Sequence, residues 1–257
     1  MKYHYIYLLA ALLMGCGSDK PNVVFDSIKV DRTVNLTKDQ DSPQCHVVLE
    51  VLQNQQATSE VGRMMNKAIV SKIFDMQDIS VQAAADSFAN SYTRDYVKNM
   101  LPLYREDRSD KEKHPWYEYR YSIGTETVDG REGTTPYMIR LEYYEGGAHS
   151  ISQQLTLNFD NVTGHVLNLS DIMVPGYESR LNELLLQALM KHTETKSVEE
   201  LRQRGYLYSM DLFVPENFIL AEDELTFIYN PYEIAPYSEG LIEIKISYDD
   251  LKDLLKK

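Results

Sequence analysis

Apolar residues recur along this chain with two different periods, and the switches between them mark out its elements. The run Val23-Val24-Phe25-Asp26-Ser27-Ile28-Lys29-Val30 and the run His46 to Leu52 are β-branched and partly alternating. They predict two strands separated by the polar loop Lys38 to Pro43. From Ser59 the period lengthens: Val61, Met65, Ala68, Ile69 and Ile73 fall at helical spacing. Ser80 caps a second helix whose stripe is Val81, Ala84, Ala85, Phe88, Tyr92, Tyr96 and Met100, with Pro102 expected to end it. The aromatic and Met positions of that stripe read as core rather than as cofactor contacts.

The charge run Arg105 to Lys113 reads as a solvated linker or hairpin tip and is taken as a boundary. Beyond it strands dominate. Trp116 to Val128 alternates, Asp129-Gly130 turns, and Tyr137 to Tyr144 pairs back. Ile151 to Phe159 alternates again, Asn161 to Gly164 turns, and His165 to Leu169 returns. Leu181, Leu184, Leu185, Ala188 and Leu189 predict an amphipathic helix. Ser197 to Glu200 is a capping box, and Gly205 is a helix stop. Phe218 to Leu220, Leu225 to Tyr229 and Leu241 to Tyr248 predict strands before a short final helix. Hairpins on short turns imply antiparallel pairing, and segregated blocks imply an α+β fold: mainly antiparallel sheet with helices packed on one face, in two lobes or two small domains. The expected division is 23–110 and 115–257.

The N-terminus carries an address. Lys2 precedes ten apolar or small residues, Ile6 to Gly15, too few to span a bilayer. Leu13-Met14-Gly15-Cys16 resembles the lipobox of bacterial lipoproteins, Met14 departing from the usual small residue. The resemblance implies removal of 1–15, acylation of Cys16 and a polar tether over 16–22. Several chains on one Cys hold a membrane firmly, where a single chain holds it only marginally. The expected location is the cell envelope, lipid-anchored, with the outer membrane favoured.

Composition narrows the partner. The chain has 257 residues, with 26 Lys+Arg against 39 Asp+Glu and a formal charge of −13, which disfavours nucleic acid and favours a basic partner. Of two Cys, Cys16 is assigned to lipid, so Cys45 has no intrachain disulfide partner and reads as a buried thiol. His46, His114, His149, His165 and His192 show no metal-ligand spacing, and there is no nucleophile elbow or phosphate-cradling loop. No metal, cofactor or catalytic residue is assigned.

Two clusters stand out. In Tyr143-Tyr144-Glu145-Gly146-Gly147-Ala148-His149-Ser150, Gly146 and Gly147 permit positive φ or close backbone approach beside His149. In Asn230-Pro231-Tyr232-Glu233-Ile234-Ala235-Pro236-Tyr237-Ser238-Glu239-Gly240, two prolines stiffen a loop that carries Tyr232 and Tyr237. A rigid aromatic loop loses little entropy on docking. The competing readings are a strand connection for the first and a packed connection for the second.

These clusters, with Leu155-Thr156-Leu157-Asn158-Phe159-Asp160, Thr163-Gly164 and Leu169-Ser170-Asp171-Ile172, resemble the extracytoplasmic domain family of the lysozyme-sensing anti-sigma factor RsiV and the peptidoglycan deacetylase PdaC. The resemblance spans about 115–257, and 23–100 resembles the companion domain that precedes it. It implies an α+β fold, an envelope location and a module that binds lysozyme. The partner-contacting residues would be Pro231, Tyr232, Glu233, Pro236 and Tyr237, with Gly146, Gly147 and His149 as a second edge. The chain shows no sigma-binding segment or deacetylase domain. The leading expectation is therefore a non-enzymatic, lipid-anchored module for a cationic wall-active protein such as a lysozyme. The alternatives are a peptidoglycan- or glycan-binding lipoprotein, and a hydrolase built on His149 and a nearby carboxylate.

Overall fold

The computed structural model describes residues 23–256. The segment expected to be a signal peptide, the expected lipidation site Cys16 and the expected tether lie outside them. Within them the chain forms two sheets, each with its own hydrophobic core.

The first sheet has order β1-β2-β3-β4-β5: β1 Phe25–Asn35, β2 Gln44–Asn54, β3 Tyr119–Thr127, β4 Thr134–Glu145 and β5 Ile151–Asp160. All pairs are antiparallel except β2–β3. That parallel pair requires a crossover, supplied by α1 Glu60–Phe74 and α2 Val81–Asp107. Cys45, Val47, Leu49 and Val51 of β2 face the helices and are fully buried, with Met65, Ile69, Ala84, Ala85 and Ala89 packed against them. Ser59 and Ser80 cap the two helices as their sequence predicts, each side chain accepting a backbone N–H from the first turn.

Two expectations fail in this half. Pro102 does not end α2, which continues to Asp107. The hydrogen bond that proline removes would go to Lys98, which is exposed, while Tyr104 beyond it is buried against Tyr117. The charge run is not a linker or hairpin tip. It is the end of α2 and a 3-10 turn, Lys111–Tyr117, closed by Lys113 Nζ on Asp107 Oδ1 at 2.6 Å and Tyr117 Oη on Asp107 Oδ2 at 2.8 Å. β2 and β3 pair on either side of this stretch, so the boundary drawn at 110–115 falls inside one sheet.

The cores divide instead after β5. Residues 165–167 return with only a single bridge, Phe159 to Val166, rather than a strand. Then come α3 Leu169–Ile172, α4 Glu178–His192 and α5 Val198–Gln203, followed by the three-stranded antiparallel sheet β6 Phe218–Leu220, β7 Glu224–Tyr229 and β8 Ile242–Ser247, and by α6 Tyr248–Leu251. Ser197 caps α5, but Glu200 reaches the N–H of Lys196 rather than closing the box on Ser197. Leu181, Leu185 and Leu189 of α4 are fully buried in a core shared with Leu225, Phe227, Ile244 and Ile246.

The second sheet covers part of the outer face of the first. Met138 meets Ile219 and Ile228 there. Asparagine amides fasten the two: Asn158 Nδ2 donates to the Phe218 carbonyl and its Oδ1 accepts from Leu220 N, both at 2.8 Å. Asn230 Oδ1 accepts from Gln154 N, and Asn217 Nδ2 donates to the Gln154 carbonyl, both at 2.7 Å. Beyond this cover the outer face of β3–β5 stays open.

Candidate functional site: an aromatic tip beside an open trough

The two clusters singled out in the sequence meet in space. The His149 ring stacks on Tyr237 with centroids 4.1 Å apart, and Tyr232 follows at 5.6 Å from Tyr237. Both partners of the first stack are tied to one carbonyl, Ser150 O, by Tyr237 Oη at 2.9 Å and His149 Nδ1 at 2.8 Å. The glycines explain how the first cluster gets there. Gly146 has φ +78°, and a Cβ on it would lie 2.5 Å from the Trp116 carbonyl; Gly147 has φ +113° and open space around it. Tyr144 Oη holds the Gly147 carbonyl at 3.0 Å, and Arg120 lies over the Tyr144 ring.

The proline loop is clamped from below. Ile234 and Ala235 are buried. Tyr232 N donates to the Ala235 carbonyl, Glu233 N to the Asn230 carbonyl, and Glu233 Oε2 accepts from Asn230 N at 2.7 Å. Held this way, Tyr232 is 63% exposed in the left-handed region, at φ +73°. For a bulky side chain that conformation costs about 1–3 kcal/mol and survives only when its surroundings fix it. Pro231 and Tyr237 border a trough, Pro236 packs over Gly205, and Glu233 acts inside the loop rather than at its surface.

Sequence reasoning missed the support of this loop. Leu207 N donates to the Ile234 carbonyl at 2.8 Å, and Tyr206 Oη donates to Glu239 Oε2 at 2.6 Å. The segment so attached displays Tyr208, 86% exposed, with Met210 and Phe213. Its signal was the run Tyr206-Leu207-Tyr208 after Gly205, which follows a helix stop and so reads as mere connection. Trp116, expected in a strand, sits in the 3-10 turn and is 58% exposed.

Beside the tip lies the trough, about 460 Å³ in volume. Its floor is Ser122 and Gly124 of β3, Arg140 and Glu142 of β4, and Ser152 and Gln154 of β5; Tyr237, Pro231 and Leu241 form one wall. Arg140 is paired with Glu126 at 2.6 Å. Ser122, Gly124, Arg140, Ser152 and Gln154 do not stand out in the sequence, because outward positions of a strand carry ordinary polar residues. Among the described residues no group of three or more His, Cys, Asp or Glu is placed to hold a metal ion. His149 meets a carbonyl and a ring rather than an acid. Cys45 is buried, its thiol pushed up to about 12 by burial and by the charge of Glu145.

An α+β body of two sheets, with a braced aromatic tip, is therefore the class of protein in hand. Residues 170–249 match the family described as "Protein of unknown function (DUF3298)". A DUF3298 family crystal structure from Bacteroides fragilis NCTC 9343 is 29% identical, covers 93% of this chain and 95% of its own, and superposes with a TM-score of 0.85. A DUF3298 protein from Pseudomonas aeruginosa PAO1 shares the fold at 17% identity, 92% and 96% coverage and a TM-score of 0.65. The peptidoglycan-N-acetylmuramic acid deacetylase PdaC of Bacillus subtilis (strain 168) is 22% identical over 198 residues, 76% of this chain. This chain spans only 40% of that relative's length. The resemblance to the RsiV/PdaC-type domain, and with it the α+β fold, thus holds. No helix among the described residues is long and apolar enough to cross a membrane.

Proposed function

We propose that this chain is a non-enzymatic binding module of the bacterial cell envelope, held to a membrane by lipid on Cys16, and that its tip docks a cationic wall-active protein of the lysozyme kind. The observation that carries this is Tyr232: exposed, conformationally strained, and held by a loop that three hydrogen bonds close, with a tilted ring contact to Tyr237. An aromatic ring whose position is fixed before binding gives up little entropy when it docks. Strain kept at an exposed tyrosine has no benefit for packing, and such strain clusters at binding sites. Tyr208, Met210 and Phe213 extend the apolar surface. Glu239 and the exposed Asp211 border it, and their charge favours encounter with a basic protein. The name of the relative PdaC places its chemistry on peptidoglycan, which is consistent with a role at the wall.

The test is calorimetry of residues 17–257 with a lysozyme at low and high salt. Binding is expected at low salt and should weaken as salt rises. Tyr232→Gly removes the ring and relieves its φ, so it should weaken binding by about 2–4 kcal/mol without loss of fold. Wild-type protein that ignores lysozymes at low salt ends this reading.

A further inference from the structure

We infer that the trough on the outer face of β3–β5 is a second binding site, and that its ligand is a neutral, extended oligosaccharide. Three features of the floor point there. Gln154 is only 8% exposed and lines the trough, yet its side-chain Nε2 has no hydrogen-bond partner. A buried donor left without an acceptor is rare in a folded protein, and a turn of this amide toward the trough would let a ligand oxygen supply one. Gly124 leaves a gap in the middle of the floor, since a Cβ there would meet nothing within 4 Å. Ser122, Glu142 and Ser152 offer hydroxyls and a carboxylate from three adjacent strands. Their rungs repeat at about 4.8 Å, comparable with the rise of one pyranose in an extended chain.

The chemistry of the walls excludes other ligands. Pro231, Tyr237 and Leu241 make one side apolar, suited to the C–H face of a sugar ring whose edge is polar. An added peptide strand has no free edge, because Asn230 and Asn217 already take the N–H and carbonyl of Gln154. An anion finds Arg140 occupied by Glu126, with Glu142 beside it. A neutral polyhydroxylated chain is what remains. This site stands independently of the docking tip, although Tyr237 belongs to both.

The probes are cellotetraose and chitotetraose, titrated into residues 17–257 by calorimetry and by amide chemical shifts; 23–256 hold both cores complete. At least one tetrasaccharide should bind, shifting amides of β3–β5. Gly124→Tyr fills the gap without strain and should weaken binding at least about tenfold. Ser152→Trp fills it from β5 and guards against a folding defect in the first variant. Gln154→Leu should cost several-fold. Gly124→Tyr should leave lysozyme docking intact, whereas Tyr232→Gly should leave saccharide binding intact, so the two sites fail separately. Absence of shifts with both sugars at about 10 mM, or equal affinity in both filled variants, overturns the inference.

Discussion

Between α2 and the first sheet, Tyr92, Tyr96 and Tyr119 pack against neighbouring rings, and each hydroxyl has a fixed acceptor: Glu145 Oε1 at 2.7 Å, the Tyr117 carbonyl at 2.9 Å and Met100 Sδ at 3.3 Å. At the proline loop the same residue type does the reverse: Tyr232 lies open to solvent in a conformation tyrosine avoids. Burial raises the phenol pKa values of the first group, and that of Tyr121, whose ring lies 4.9 Å from Tyr92, is pushed up to about 12 by burial with help from Tyr143 and Glu145, because the charged form has no water to stabilise it. Packing decides which use a tyrosine is put to. Where an apolar stripe faces a sheet, the ring completes a core. Where a short loop is clamped from beneath, the ring is presented outward.

Substitutions that break the first use should be costly and those that break the second should not. The largest effect is expected at Tyr137, which is fully buried, edge-on to Phe159, with its hydroxyl on Leu52 O and Thr125 Oγ1. Tyr137→Ala should cost about 3–5 kcal/mol in urea unfolding. Next comes the fastening between sheets. Asn158→Ala orphans Leu220 N and the Phe218 carbonyl and should cost about 1–3 kcal/mol. Hydrogen exchange should then quicken in β6 before it does in β2.

A smaller, pH-dependent effect belongs to Asp107. Hydrogen bonds from Lys113 and then Tyr117 hold its carboxyl below the ordinary 3.8. A depressed carboxylate stabilises the fold fully above its unfolded pKa and loses that contribution as pH falls through the folded value. Asp107→Asn should therefore lower stability at neutral pH and flatten the acid limb of a stability–pH curve below about pH 4. No loss of stability is expected from Tyr232→Gly, because relief of the left-handed strain offsets the extra freedom that glycine gives the unfolded chain. A large loss of stability there would erase the contrast between the two tyrosine groups.

The patterned parts of the fold were readable along the chain. Ser59, Ser80 and Ser197 announce helix starts through local hydrogen bonds, and Ile151 to Phe159 alternates because one strand face is buried. Pro102 misled because the residues around it, not its own preference, settle whether a helix continues. The charge run misled because Asp107 meets Lys113 and Tyr117 only after the chain has turned. Of the candidate site, Tyr232, Tyr237, Gly146, Gly147 and His149 were visible as unusual residues between strands. Ser122, Gly124, Arg140 and Gln154 were not, since alternate positions on a strand look alike until something covers, or fails to cover, the sheet.

By itself the sequence determined which segments bury one face, where helices begin, and that two glycine- and proline-marked loops differ from ordinary connections. These are local matters of period, capping and backbone freedom. Only the tertiary structure decided that β2 lies beside β3, that His149 stacks on Tyr237 across almost ninety residues of chain, and that the second sheet stops short of the first and leaves a trough. Such pairings depend on which surfaces meet, and many distant partners satisfy the same local pattern until the whole chain is packed.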